Sequence, residues 1–171
     1  RILMYGANVL QSLQVPVVKG SFKNILLKDV QISYADNWQK NHIKTIESAY
    51  RSAPFYEYYI DDILPLYNTK HKYLLDLNNE ILEVSKAMLD IDINMELSAD
   101  FELNPDCIDF RKVMHPKASK NIHDTDFKAQ AYVQGLEQRH GFMENLSIVD
   151  LVFNTGPDAV SIIKQSIVDL K

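Results

Sequence analysis

Within Trp-Gln-Lys-Asn-His-Ile-Lys-Thr-Ile-Glu-Ser-Ala-Tyr, residues 38–50, His42 stands four positions after Trp38 and four before Ile46. On a helix those three share a face, which puts an imidazole at the margin of an apolar stripe. Burial and neighbours can tune it there for proton transfer near neutral pH. A core-edge histidine satisfied by one hydrogen bond fits the same spacing. Glu47 is the nearby carboxylate that could orient the ring, and Lys44 and Tyr50 are candidate substrate contacts from the same stretch.

Two further polar groups stand out. Asp109, Arg111, His115 and Lys117 fall within Asp-Phe-Arg-Lys-Val-Met-His-Pro-Lys. There Arg111 could act as a bidentate fork and Lys117 as a point charge on an anion or carbohydrate; a solvated surface loop explains them equally. Asp150 and Asn154 lie four apart on an otherwise apolar segment, so one polar stripe faces inward or lines a cleft. Because buried polar groups need partners, an internal network locking the last two helices is the competing reading.

Other chemistries lack their marks. Cys107, His115 and His123 have seven residues between neighbours, which matches no compact zinc pattern, and no metal is expected. Cys107 is expected to be a small half-buried side chain rather than a nucleophile. The dinucleotide, Walker-type and serine-hydrolase signatures are absent from the sequence, and with five glycines in all a phosphate-cradling loop is not expected. No cofactor is implied.

The chain has 171 residues, 46% hydrophobic and 24% charged, with a net charge of −5. That is an ordinary globular composition, long enough for one domain with its own core. Basic and acidic residues are interspersed, so no basic stripe for a nucleic acid backbone is present. The single cysteine rules out an intrachain disulfide framework and fits a reducing compartment, so the cytoplasm is expected. No apolar run approaches the roughly 20 residues of a membrane span.

The elements that must position these residues follow from periodicity. Alternation predicts strands over residues 9–18 and 25–34, the first interrupted by Pro16, with a hairpin between them. Asp36 or Asn37 is a cap for a helix over Trp38 to Ser52, which Pro54 closes. A second helix is expected from Phe55 to Leu66, with Pro65 kinking or closing it. The clearest helix spans Lys72 to Leu89, with a stripe of Leu74, Leu77, Ile81, Val84 and Met88. Short strands are expected at 91–98 and 131–137, separated by a polar, loop-like segment from Ser98 to Gln130. Ser147 caps a short helix to Phe153. Gly156-Pro157 breaks it and opens a last helix with Val160, Ile163, Ile167 and Leu170 buried. The fold class is α/β, with α+β as the variant: a mixed sheet of short strands and about five helices, helix-rich in the middle and at the C-terminus.

Three blocks stand in order along the chain: Trp38-x-x-x-His42-x-x-Thr45-Ile46-x-x-x-Tyr50-x-x-x-Pro54-Phe55; Asp109-Phe110-Arg111 with His115-Pro116-Lys117; and Tyr132-x-Gln134 followed by Gly141-Phe142 and Asn145-Leu146-Ser147-Ile148-x-Asp150-Leu151-x-Phe153-Asn154-x-Gly156-Pro157. With Leu13-x-Val15-Pro16-Val17 near the start, this arrangement resembles the WbqC-like family, a bacterial group found in gene neighbourhoods for cell-surface polysaccharides. The resemblance implies one mixed α/β domain over residues 1–171. It also implies a role in modifying the sugars of O-antigen or related glycans, with transfer of an acyl or aminoacyl group to an amino sugar as the candidate reaction. It carries over no agreed catalytic residues. Family members have an upstream portion leading into the position of Arg1, so a segment before Arg1 is expected to be missing.

Two functional readings follow. In the first, an enzyme acts on a sugar or nucleotide-sugar: His42 is general base, Glu47 or Asp150 orients it or the acceptor, and Arg111, His115 and Lys117 hold a phosphate or carboxylate of the donor. In the second, a non-catalytic binding or scaffold protein uses Tyr50, Phe55, Tyr56, Tyr58 and Tyr59 to stack on a sugar or cover a partner.

Overall fold

A computed structural model describes residues 2–6, 9–20, 25–98, 106–107, 109–111 and 126–168. The chain opens with an antiparallel hairpin of β1 (Ile2–Gly6) and β2 (Val9–Leu13), in register from Ile2 opposite Leu13 to Gly6 opposite Val9. Only β2 was expected, as the first half of a longer strand. Just past it, residues 14–18 make one isolated bridge, Val17 to Ile32, since Pro16 has no N–H to extend a ladder. Residues 25–34 are likewise not a strand. Leu27–Asp29 is a single 3-10 turn. The segment after it is pinned on both sides: Val18 N–H donates to Gln31 O at 2.9 Å and Ile32 N–H to Lys72 O at 3.0 Å.

Helix α1 (Trp38–Tyr50) buries Trp38, His42, Ile46 and Tyr50, one residue per turn. Asn37 holds the cap position without a side-chain cap bond. Ala53 N–H donates to Tyr50 O at 2.8 Å as the helix closes before Pro54. Helix α2 (Tyr56–Asn68) runs past Pro65 and ends where Thr69 N–H donates to Pro65 O at 3.1 Å. Helix α3 (Leu74–Leu89) stops at Asp90, which takes a left-handed conformation at φ 51°, as the short polar Asp side chain tolerates.

Residues 91–98 are not a strand; all but Ile91 are exposed, and an unpaired apolar segment has no ladder to join. Residues 131–136 are also unpaired and lead into the one-turn helix α4 (Glu137–His140). Ser147 caps α5 (Ile148–Thr155) by accepting from Val149 N–H. After the Gly156–Asp158 turn comes α6 (Ala159–Ser166). Ile167, expected in the buried stripe, is 45% exposed because α6 ends before it; Leu170 lies outside the described residues.

The architecture is thus mixed α/β: among the described residues, five helices of eight or more residues and one small antiparallel sheet. The core centres on Phe153 and Val152 of α5, with no exposed surface, packed against Met4 of β1 and Ile46 of α1. Phe153 meets the rings of Tyr50 and Tyr56 edge-on, each at 5.3 Å between centroids. Ile32, Trp38 and Leu77 form a smaller cluster. Gly156, at φ +55°, lies so close to the Phe55 ring that a Cβ would sit 2.5 Å from it. Phe55 N–H also donates to Phe153 O at 3.0 Å, so the junction between α1 and α2 is fastened to the end of α5.

Candidate functional site

Asp150 lies on the face of α5 opposite the solvent, with none of its surface exposed. The Tyr132 hydroxyl donates to its Oδ2 at 2.7 Å, and Gln134 Nε2 approaches the same oxygen at 3.4 Å. Tyr132 and Gln134 are two apart on extended chain and so present side chains to one side. Gln134 is locked by Met143, donating to its O at 2.9 Å and accepting from its N–H at 2.8 Å. Burial pushes the Asp150 carboxyl above its ordinary range, and the hydroxyls of Tyr132 and Tyr50 and the Gln134 amide pull back. Asp150 Oδ1 is buried and, among the described residues, makes no regular hydrogen bond.

Tyr50 comes to this carboxylate from the last turn of α1. Burial, with the Asp150 charge second, pushes its hydroxyl well above the ordinary tyrosine range, so it stays a protonated donor. Tyr5 N–H donates to Tyr50 Oη at 3.4 Å, and Tyr5 Oη donates to Gly141 O at 2.7 Å. Asn154 donates to Asp150 O at 2.7 Å. Tyr5, Tyr50, Asp150, Asn154, Ser48 and Ser52 border a cavity of about 280 Å³, which Pro54 and Val133 also line. A carboxylate with raised proton affinity, held by neutral donors in the wall of a cavity, is suited to take a proton from an amine or hydroxyl.

Of the residues singled out from sequence, Tyr50, Asp150 and Asn154 therefore meet at one cavity. His42 does not join them. It sits two turns away on α1 in the wall of a separate, mainly apolar cavity of about 450 Å³. There its ring contacts Trp38 at 5.1 Å and Tyr67 at 5.8 Å between centroids. Burial lowers the His42 pKa, with the Gln14 backbone carbonyl pulling upward, so the ring is neutral near pH 7. Burial alone pushes the Tyr67 hydroxyl up to about 12.

The partners proposed for His42 lie elsewhere. Glu47 is on the solvent face of α1, 3.6 Å from Arg51, and so does not orient the imidazole. Lys44 is exposed beside a surface cavity shared with Lys40 and Lys70. Arg111 and Asp109 face each other, Nε to Oδ1 at 2.8 Å and Nη2 to Oδ2 at 2.8 Å; His115 and Lys117 lie outside the described residues. Tyr56 and Tyr59 are buried and Phe55 rests on Gly156, whereas Tyr58 is 75% exposed. Cys107 is exposed rather than half-buried. Among the described residues, no group of three or more His, Cys, Asp or Glu could hold a metal ion, and no helix is long and apolar enough to cross a membrane.

Sequence reasoning gave no role to Tyr5, Tyr132 or Gln134. The motif Tyr132-x-Gln134 was the available signal, since alternate residues of an extended segment face one way. Compared with known proteins, residues 1–115 match the model of the WbqC-like protein family. No curated protein and no solved structure gives a significant match. The match takes in the Trp38 to Phe55 block and the Asp109 to His115 segment and ends before Tyr132.

Proposed function

Because the chain belongs to the WbqC-like protein family, we propose that it is a cytoplasmic enzyme of bacterial cell-surface polysaccharide biosynthesis that transfers an acyl or aminoacyl group to an amino sugar. The observation that carries this reading is the buried Asp150 carboxylate, held by Tyr132, Tyr50 and Gln134, in the wall of a cavity it shares with Tyr50 and Asn154. The acceptor is the sugar amine or hydroxyl. Asp150 takes its proton as the new bond to the acyl carbon forms; the bond from that carbon to the leaving group breaks, and the leaving group departs with the electron pair and receives the proton. Tyr50 and Asn154 orient the acceptor by hydrogen bonding. Arg111, His115 and Lys117 hold the anionic part of the donor.

The test is incubation of the chain with nucleotide-linked amino sugars and activated acyl or aminoacyl donors, with product read by mass spectrometry. Asp150→Asn keeps an acceptor for Tyr132 and is expected to lower turnover by about a hundredfold or more without unfolding the protein. A folded Asp150→Asn variant with full activity sinks the assignment. The alternative is a non-catalytic glycan- or protein-binding protein of the same pathway, for which the exposed Tyr58 ring on α2 speaks. Saturable glycan binding without turnover, lost in Tyr58→Ala, selects that reading.

A further inference from the structure

At the start of α1 lies a further surface cavity that the Asp150 chemistry does not use. It measures about 470 Å³, within the roughly 300–1,000 Å³ of small-molecule sites, and opens between the first turns of α1 and the end of α2. Lys40 and Lys44 line it from α1, one turn apart, and Lys70 lines it from just past α2. All three are exposed. Like charges at i, i+4 on a helix repel, and among the described residues none of the three lysines has an acidic group within ion-pair distance. Glu47, one turn beyond Lys44, is paired instead with Arg51. Among the described lining residues Asp36 is the one carboxylate, so three lysines against one acid leave two positive charges in excess, in a chain whose net charge is −5.

The backbone around these charges is fastened. Gln39 Nε2 donates to Tyr67 O and, at 3.0 Å, to Thr69 O, which ties the first turn of α1 to the end of α2 beside Lys70. Tyr34 Oη donates to His71 O at 2.9 Å, and the Lys70 ammonium lies 5.5 Å from the centre of the Tyr34 ring, a cation–π distance. The cavity also takes in Asn37 at the cap position of α1, which makes no side-chain cap bond, so the positive end of the helix dipole adds to the lysines. Ammonium groups donate and never accept, so the ligand must be an anion with several acceptor oxygens. One carboxylate brings a single charge and leaves part of the excess unmet. A diphosphate carries at least two charges on linked phosphorus centres and can meet lysines on both sides of the cavity.

We infer that this cavity is a binding site for a diphosphate, held by Lys40 and Lys44 of α1 and by Lys70 across from them. The inference is independent of the reading of Asp150, because the two cavities have no lining residue in common and diphosphate binding is read without turnover.

The full chain is titrated by calorimetry with inorganic pyrophosphate, inorganic phosphate, uridine diphosphate and farnesyl diphosphate at low salt. The expected result is saturable binding of pyrophosphate, about tenfold tighter than phosphate, the worth of one added charge-assisted contact, and weakening as salt is added. Lys44→Gln and Lys70→Gln are each expected to weaken pyrophosphate about tenfold. Lys164→Gln, at an exposed position of α6 away from the cavity, leaves it unchanged. Uridine diphosphate binding tighter than pyrophosphate makes the ligand a nucleotide, and farnesyl diphosphate binding tightest makes it a lipid diphosphate; both uphold the site. Absence of saturable binding by all four probes, or an equal loss in Lys164→Gln and Lys44→Gln, overturns the site. Equal affinity for phosphate and pyrophosphate overturns the diphosphate assignment.

Discussion

Two turns of one helix separate two ways of burying a polar side chain. At the Tyr50 end of α1 the polar groups are gathered: Asp150 holds Tyr132 at 2.7 Å, Gln134 is fixed by Met143, and Phe153 wedges between Tyr50 and Tyr56. At the Trp38 end three aromatic rings border about 450 Å³ of mainly apolar space, and two ring nitrogens have no partner. The contrast separates structure from vacancy of role. Packing and hydrogen bonds account for what is buried at the first end; at the second, among the described residues, they account for the rings and not for two of their nitrogens.

The sharpest way to break this contrast is by truncation. Phe153 has no exposed surface, so Phe153→Ala is expected to remove about 3–5 kcal/mol of stability, the lost transfer energy plus the cavity left behind. Ile81, half-buried beside the other cavity, already lacks close neighbours on one side, and Ile81→Ala is expected to cost clearly less. Urea denaturation of both variants checks this. Equal losses would mean that the Trp38 end is packed as tightly as the Tyr50 end.

Gly156→Ala comes next. The added Cβ meets the Phe55 ring at 2.5 Å and must also take a φ of +55°, a conformation that side chains rarely adopt. The expected loss is about 1–3 kcal/mol, read as a lower unfolding midpoint. A neutral outcome would show that Phe55 swings away freely and that the α1–α2 junction is not fastened to α5.

The two ends also differ in how far the sequence revealed them. Helix α1 was readable because Trp38, His42, Ile46 and Tyr50 repeat at one turn each, and Ser147 was readable as a cap because a short acceptor precedes an apolar run. Asp150 and Asn154 were likewise placed on one face by their spacing. Strand β1 was missed, and 25–34, 91–98 and 131–137 were misread, because a short alternating pattern does not say whether a ladder partner exists. The meeting of Tyr50 with Asp150, one hundred positions apart, is not a local property; the separation of His42 from Glu47, five positions apart on α1, by contrast follows from the helical period. That His42 Nδ1 has no partner among the described residues is visible only in the packed structure.

Asp150 offers a pH-dependent test of the gathered end. Burial raises its carboxyl pKa above the ordinary value, so the folded chain holds that proton more tightly than the unfolded one. The stability it contributes is complete below the ordinary carboxyl pKa, about 4, and is lost as pH rises through the raised folded value. Asp150→Asn has no proton to lose. Its stability relative to the unaltered chain is therefore expected to improve as pH climbs through that window and to level off above it, in urea midpoints taken at a series of pH values. A relative stability that falls with rising pH would mean that the Tyr132, Tyr50 and Gln134 contacts outweigh burial.

The smallest effect is expected on the side of α1 that faces neither cavity. Glu47 and Arg51 are 3.6 Å apart with side chains 48% and 75% exposed, an i, i+4 pair of the kind that contributes about 0.3 kcal/mol. Glu47→Gln should shift the unfolding midpoint barely at all, and should leave the transfer reaction unchanged. Any larger change in either would reconnect Glu47 with His42 or with the Asp150 cavity. The solvent face of α1 would then be part of one of the two cavities that its buried face now divides.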